Sequence, residues 1–149
     1  MNEVDRLVRL RIKVLIFAAF AFGLWQLAWI GKDIFTDSDR QLYLIFGSLS
    51  ALGGLCWCFA GYFFHSYSKQ VKQANVGMAL NDELTLQNRS KAFIFGYALM
   101  LSIVWLLIPV ADFWQFKLIF AIRAIVTLGI TLPIVYFAYL ERQNFEELE

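Results

Sequence analysis

The run AFIFGYALMLSIVWLLIPVA, residues 92–111, decides how this chain is read. It holds twenty residues without a formal charge, and its polar side chains are Tyr97, Ser102 and Trp105. At 1.5 Å per residue such a helix spans the ~30 Å hydrocarbon layer of a bilayer. A helix on the surface of a soluble bundle would instead carry a polar face. Three further stretches share this character: Val14–Gly31, Leu42–His65 and Leu118–Leu140. In the first, Gln26 is the one strongly polar side chain before Gly31.

The whole chain of 149 residues is 60% hydrophobic and 17% aromatic. Soluble domains are about 45–50% apolar. The fold expected is therefore all-α: an integral membrane four-helix bundle in a single domain, residues 1–149. The connection 66–91 is its one sizeable polar segment. The N-terminal basic cluster followed by an apolar run imitates a secretory signal. Its 18-residue run is too long and lacks a small-residue cleavage site, so it reads as an uncleaved first span.

Lysine and arginine sort the connections. Arg6, Arg9, Arg11 and Lys13 precede the first span; Lys69, Lys72, Arg89 and Lys91 lie in the 66–91 connection; Arg142 follows the last span. The two remaining connections hold Lys32, Arg40 and Lys117. Positive residues favour the cytoplasmic side, so both termini are expected inside and the spans are expected as two hairpins. Trp25, Trp29, Tyr43 and Trp114 then mark the outer interface; Tyr62, Tyr67, Tyr136 and Tyr139 mark the inner one.

In lipid, helices associate where small side chains allow backbones to approach. The second span carries Gly47, Ser50, Ala51, Gly54, Cys58 and Gly61 at steps of three or four. This stripe is the expected packing or partner face. Weaker pairs are Ala19 with Gly23 and Ala92 with Gly96; Ala124, Thr127 and Thr131 share one side of the last span. Pro133 should bend that span, and Pro109 should help to end the third.

Charge inside a membrane is the usual pointer to function. Arg123 is the one formal charge clearly within a span, and Asp112 closes the preceding span on the same side. The pair Asp112–Arg123 is the expected intramembrane ion pair; an anion or lipid-headgroup contact is the functional alternative. Gln26 is expected to hydrogen-bond to another helix. His65 is the single histidine, so a bis-histidine haem has no second ligand in one chain, and no Cys or carboxylate stands at zinc-ligand spacing from it. Cys56 and Cys58 point about 200° apart on a helix and read as packing residues. No catalytic residue, metal site or cofactor is expected. The net charge of +1 gives no field that favours nucleic acid.

Within 66–91, helix is expected to continue to about Ala74 and to break at Asn75 and Gly77. Asn81 or Asp82 is expected to cap a helix that runs into the third span, with Asp82 and Glu83 at its positive end. The run Asp82-Glu83 with Asn88-Arg89 and Ala92, ahead of a membrane hairpin, resembles a pattern in small uncharacterised prokaryotic four-helix membrane proteins. Those carry an Asp-Glu-Arg start; here Leu84 stands at the arginine. Some are encoded beside small helix-turn-helix regulators. The resemblance implies no activity, but it marks Asp82, Glu83 and Arg89 as candidate contacts on the cytoplasmic side.

The function expected is a small non-enzymatic inner-membrane protein that binds a protein partner, itself, or a larger membrane complex. Two alternatives stand beside it. One is a small oligomeric transporter or lipid-handling protein, suggested by Arg123 and Pro133. The other is a subunit of a membrane redox complex, suggested by aromatic content and His65.

Overall fold

The computed structural model describes residues 3–36, 38–113 and 118–147, with the side chains at 111–113 and 145–147 outside that description. It contains α1 (Glu3–Phe35), α2 (Arg40–Ala74), the single turn α3 (Gly77–Leu80), α4 (Glu83–Phe113) and α5 (Leu118–Glu147), with no strand among the described residues. Four of these helices are long and apolar enough to cross a membrane. Each extends beyond its apolar stretch, because polar flanks continue the backbone ladder into the interface. Pro109 does not end α4, as the sequence had suggested; the helix runs on to Phe113. One missing amide at the edge of an apolar span is tolerated without termination.

Local chemistry explains the helix ends. Asp39 caps α2, its Oδ1 accepting from the amides of Gln41 (2.8 Å) and Leu42 (3.1 Å). Asn75 ends α2 in the left-handed conformation, φ 53°, which asparagine adopts more readily than most residues. Asp82 precedes α4 and accepts from the Thr85 amide at 2.8 Å. The last two fall where the sequence signals them; the Asp39 cap is an addition. The turn α3 between Asn75 and Asp82 is an addition, since the expected break folds into a short helix.

Helix α1 is the centre of the assembly. In its most apolar window 44% of residues are buried, against 11% in α2 and α5 and 6% in α4. It packs on α2 along one side and on α5 along another, and α5 in turn packs on α4. The α1–α2 contact is close and aromatic. A Cβ on Gly53 would lie 2.7 Å from the Trp25 Cα, so a larger residue there forces the two backbones apart. Phe22 meets Trp57 at 5.1 Å, Phe17 meets Phe63 edge-on at 5.6 Å, and Phe35 stacks on Phe46 at 5.6 Å. The α4–α5 contact is set by Gly96 against the Pro133 ring and Gly129 against Met100. Serine and threonine hydroxyls in the spans bond back to their own helix: Ser50 to Gly47, Ser102 to Ala98 and Thr127 to Arg123. This satisfies polar groups in a region without water.

Candidate functional site

Two charged clusters lie on the seam between α1 and α5, one at each end. Arg11 and Asp33 stand 22 positions apart on α1, about 33 Å at 1.5 Å per residue. Arg123 and Glu141 stand 18 apart on α5, about 27 Å. Arg11 pairs with Glu141 and Asp33 with Arg123, so α1 and α5 are antiparallel. The clusters bracket an apolar length close to a ~30 Å hydrocarbon layer.

The cluster at the α3 end is the more elaborate. Arg11 Nη2 bonds to Glu141 Oε2, and the two side chains are 11% and 4% exposed. Arg11 Nη1 donates to the Leu80 carbonyl at 2.8 Å, and Nη2 also approaches Thr85 Oγ1 at 3.4 Å. Asn88, buried in α4, donates from Nδ2 to the other Glu141 oxygen at 3.3 Å. Tyr67 of α2 lies near enough to Arg11 and Glu141 to feel both charges, and its burial pushes the phenol up. One guanidinium thus ties α1 to α3, α4 and α5. Arg11 Nε is buried without a partner. Ile12, Leu15 and Ala138 form a dry layer beside the cluster, with Val8, Ile134 and Phe137 packed on it. A pair so far out of water is tolerable because added hydrogen bonds offset the desolvation of each ion.

The far-end cluster is simpler and wetter. Arg123 Nη1 lies 2.8 Å from Asp33 Oδ2, with the side chains 21% and 25% exposed. The two atoms make a charge contact and no aligned hydrogen bond. Arg123 also lies 4.8 Å from the Trp29 ring, and Lys32 Nζ lies 4.6 Å from that ring and 5.0 Å from Tyr43. Trp29 therefore serves two cations, a favourable arrangement for an indole at a membrane interface.

The residues singled out from sequence fall as follows. Arg123 is paired with Asp33; the side chain of Asp112, its expected partner, lies outside the described residues. Gln26 is half-buried and makes no side-chain hydrogen bond among the described residues, contrary to expectation. His65 is exposed within α2. Thr127 bonds back to its helix, but the buried hydroxyl of Thr131 has no partner. Asp82 caps α4, while Glu83 and Arg89 are exposed on its first turns. The stripe on α2 is split. Ser50 is buried and Gly54 faces the Trp25 indole, but Ala51, Cys58 and Gly61 are exposed, and nothing lies within 4 Å of a Cβ built on Gly47 or Gly61. The face that α2 presents to α1 runs through Ser50, Gly53, Trp57 and Ala60. It is rotated about a quarter turn from the stripe at 100° per residue.

Sequence reading missed the Arg11–Glu141 cluster. Arg11 stood among four basic residues of the N-terminal flank and Glu141 among the acids of the tail. A signal was available: in antiparallel helices, the residue just ahead of one span and the residue just after the other meet at the same depth.

No group of three or more His, Cys, Asp or Glu residues arranged for a metal exists among the described residues. The described residues define a helical protein with four helices fit to cross a membrane and an ion pair at each end of the α1–α5 seam. Comparison with family models, with curated proteins and with solved structures gave no match.

Proposed function

We propose that the chain is a multi-pass protein of a bacterial cytoplasmic membrane, without a reaction of its own, that associates with a second copy of itself through α2. The observation that carries this reading is the open stripe Gly47, Ala51, Cys58 and Gly61, with Gly54 at its edge. Its spacing of 4, 3, 4 and 3 is that of a left-handed helix pair. Small residues at these positions let two backbones approach in lipid, where larger side chains would offer no gain over acyl chains. Apart from Gly54, which meets the Trp25 indole, the stripe lies to one side of the α1 contact and is open to a partner.

Orientation follows from charge. The end that holds α3 gathers Arg6, Arg9, Arg11, Lys13, Lys69, Lys72, Arg89, Lys91 and Arg142, which favours the cytoplasmic side for that end and for both termini. α1 with α2 and α4 with α5 then form the two hairpins. The transporter alternative loses its main support, because Arg123 already has Asp33 and Trp29 as partners.

The test is oxidative crosslinking in native membranes through Cys58, after Cys56→Ser. A covalent dimer is expected, and Gly61→Leu with Ala51→Leu should abolish it. A monomer under these conditions rejects self-association. A crosslinked species of another mass would assign the stripe to a different protein.

A further inference from the structure

Two cavities flank Arg11 at the α3 end, and they differ in sign. One, of about 230 Å³, is lined by Asp5, Asp82 and Glu141 as well as Arg11. The other, of about 210 Å³, is lined by Arg11, Arg89, Tyr67, Ser68, Asn81 and Thr85, with no carboxylate on its wall among the described residues. Its remaining wall is apolar, from Val71, Leu80 and Phe137. We propose that this second cavity binds a phosphate-type oxyanion, held mainly by Arg89 and completed by the hydroxyls around Arg11.

The charges require an anion there. Glu141 neutralises Arg11 from the opposite side, so Arg11 brings polarity more than net charge. Arg89 is different. It is exposed and makes no ion pair among the described residues. Its planar guanidinium matches the geometry of two phosphate oxygens.

The donors around it are not exhausted. Thr85 Oγ1 accepts from Arg11, which leaves its own O–H to donate. The Tyr67 phenol lines the same cavity. Ser68 adds a third hydroxyl. A water occupies about 30 Å³ in the liquid, so the volume takes a five-atom oxyanion and a short substituent. Lipid headgroups and soluble phosphates share this chemistry. Both leaflets carry phosphate, so the proposal does not depend on orientation or on self-association.

The experiment uses the full-length chain in maltoside micelles, which carry no phosphate. Thermal unfolding is followed as inorganic phosphate is added, with chloride matched for ionic strength. In a second arm, phosphatidylglycerol is added to the micelles without inorganic phosphate. A ligand that binds only the folded chain raises the midpoint by several degrees once it exceeds its dissociation constant many times over. A rise in the first arm assigns the site to a soluble phosphate; a rise confined to the second assigns it to a lipid headgroup. In either case Arg89→Gln should weaken binding by about tenfold or more, the scale of a charged hydrogen bond. Arg40→Gln, an exposed arginine at the opposite end, should change nothing. If neither arm responds, or if Arg89→Gln responds like the parent chain, the proposal fails. Arg89 is exposed and makes no ion pair or side-chain hydrogen bond among the described residues, so the variant is expected to fold.

Discussion

The two ends of the α1–α5 seam hold the same kind of pair and treat it differently. At the α3 end Arg11 and Glu141 are nearly out of water and are wrapped by backbone and side-chain donors and acceptors from α3 and α4. At the far end Arg123 and Asp33 are about a quarter exposed and lean on an indole. A buried pair contributes little net stability when intact, but losing one member strands a charge. An exposed pair contributes little in either case. One end is therefore a structural knot and the other an interfacial anchor.

The largest effect should come from Glu141→Ala. It leaves the Arg11 guanidinium buried and unpaired, a loss of roughly 3–5 kcal/mol by comparison with other broken buried pairs. Unfolding in mixed micelles would show it. Removing both charges together, as Arg11→Met with Glu141→Leu, should recover most of that loss. If the double variant is as unstable as the single one, burial is not what makes this end matter.

Next in size is Gly53→Leu. The added side chain meets the Trp25 backbone, so overpacking should cost about 1–3 kcal/mol. The same measurement on Gly61→Leu, at a dilution in detergent where the chain is monomeric, should show almost no change, because the space over Gly61 within the bundle is open. Equal losses at the two glycines would contradict the division of α2 into a packed and an open face.

A smaller effect is expected from Asp33→Asn. At partial exposure, with Trp29 still covering Arg123, the loss should be about 0.2–1 kcal/mol. A double-mutant cycle across each pair sharpens the contrast: the coupling between Arg11 and Glu141 should exceed that between Arg123 and Asp33. Coupling of equal size would erase the distinction between knot and anchor. Smallest of all, Arg89→Gln should leave stability within about 0.5 kcal/mol, as for surface changes away from special contacts.

Much of the fold was legible in the residues. Hydropathy located four spans because lipid demands about twenty apolar residues in a row. Asn75 and Asp82 announced helix ends because their side chains and backbone preferences act within a few residues. Ala19, Gly23, Ala92 and Gly96 were recognised as packing positions, and all four are buried. The candidate sites were less legible. Arg123 was seen as important, but its carboxylate partner at Asp33 lies 90 positions away along the chain. Arg11 and Glu141 were both visible and went unpaired, 130 positions apart. The stripe on α2 was visible too, but not that α1 would pack beside it.

What the sequence determined by itself is where the chain is helical, where it is apolar and how its basic residues are distributed. Each of these depends on short-range propensity or on transfer of a contiguous segment into lipid. Only the tertiary structure decided which helix sits at the centre, which face of α2 is covered and which charges meet. Those outcomes depend on the rotation and vertical register of whole helices. A shift of one residue turns a helix by about 100° and moves it by 1.5 Å, enough to separate Arg11 from Glu141 and to give Gly53 another neighbour.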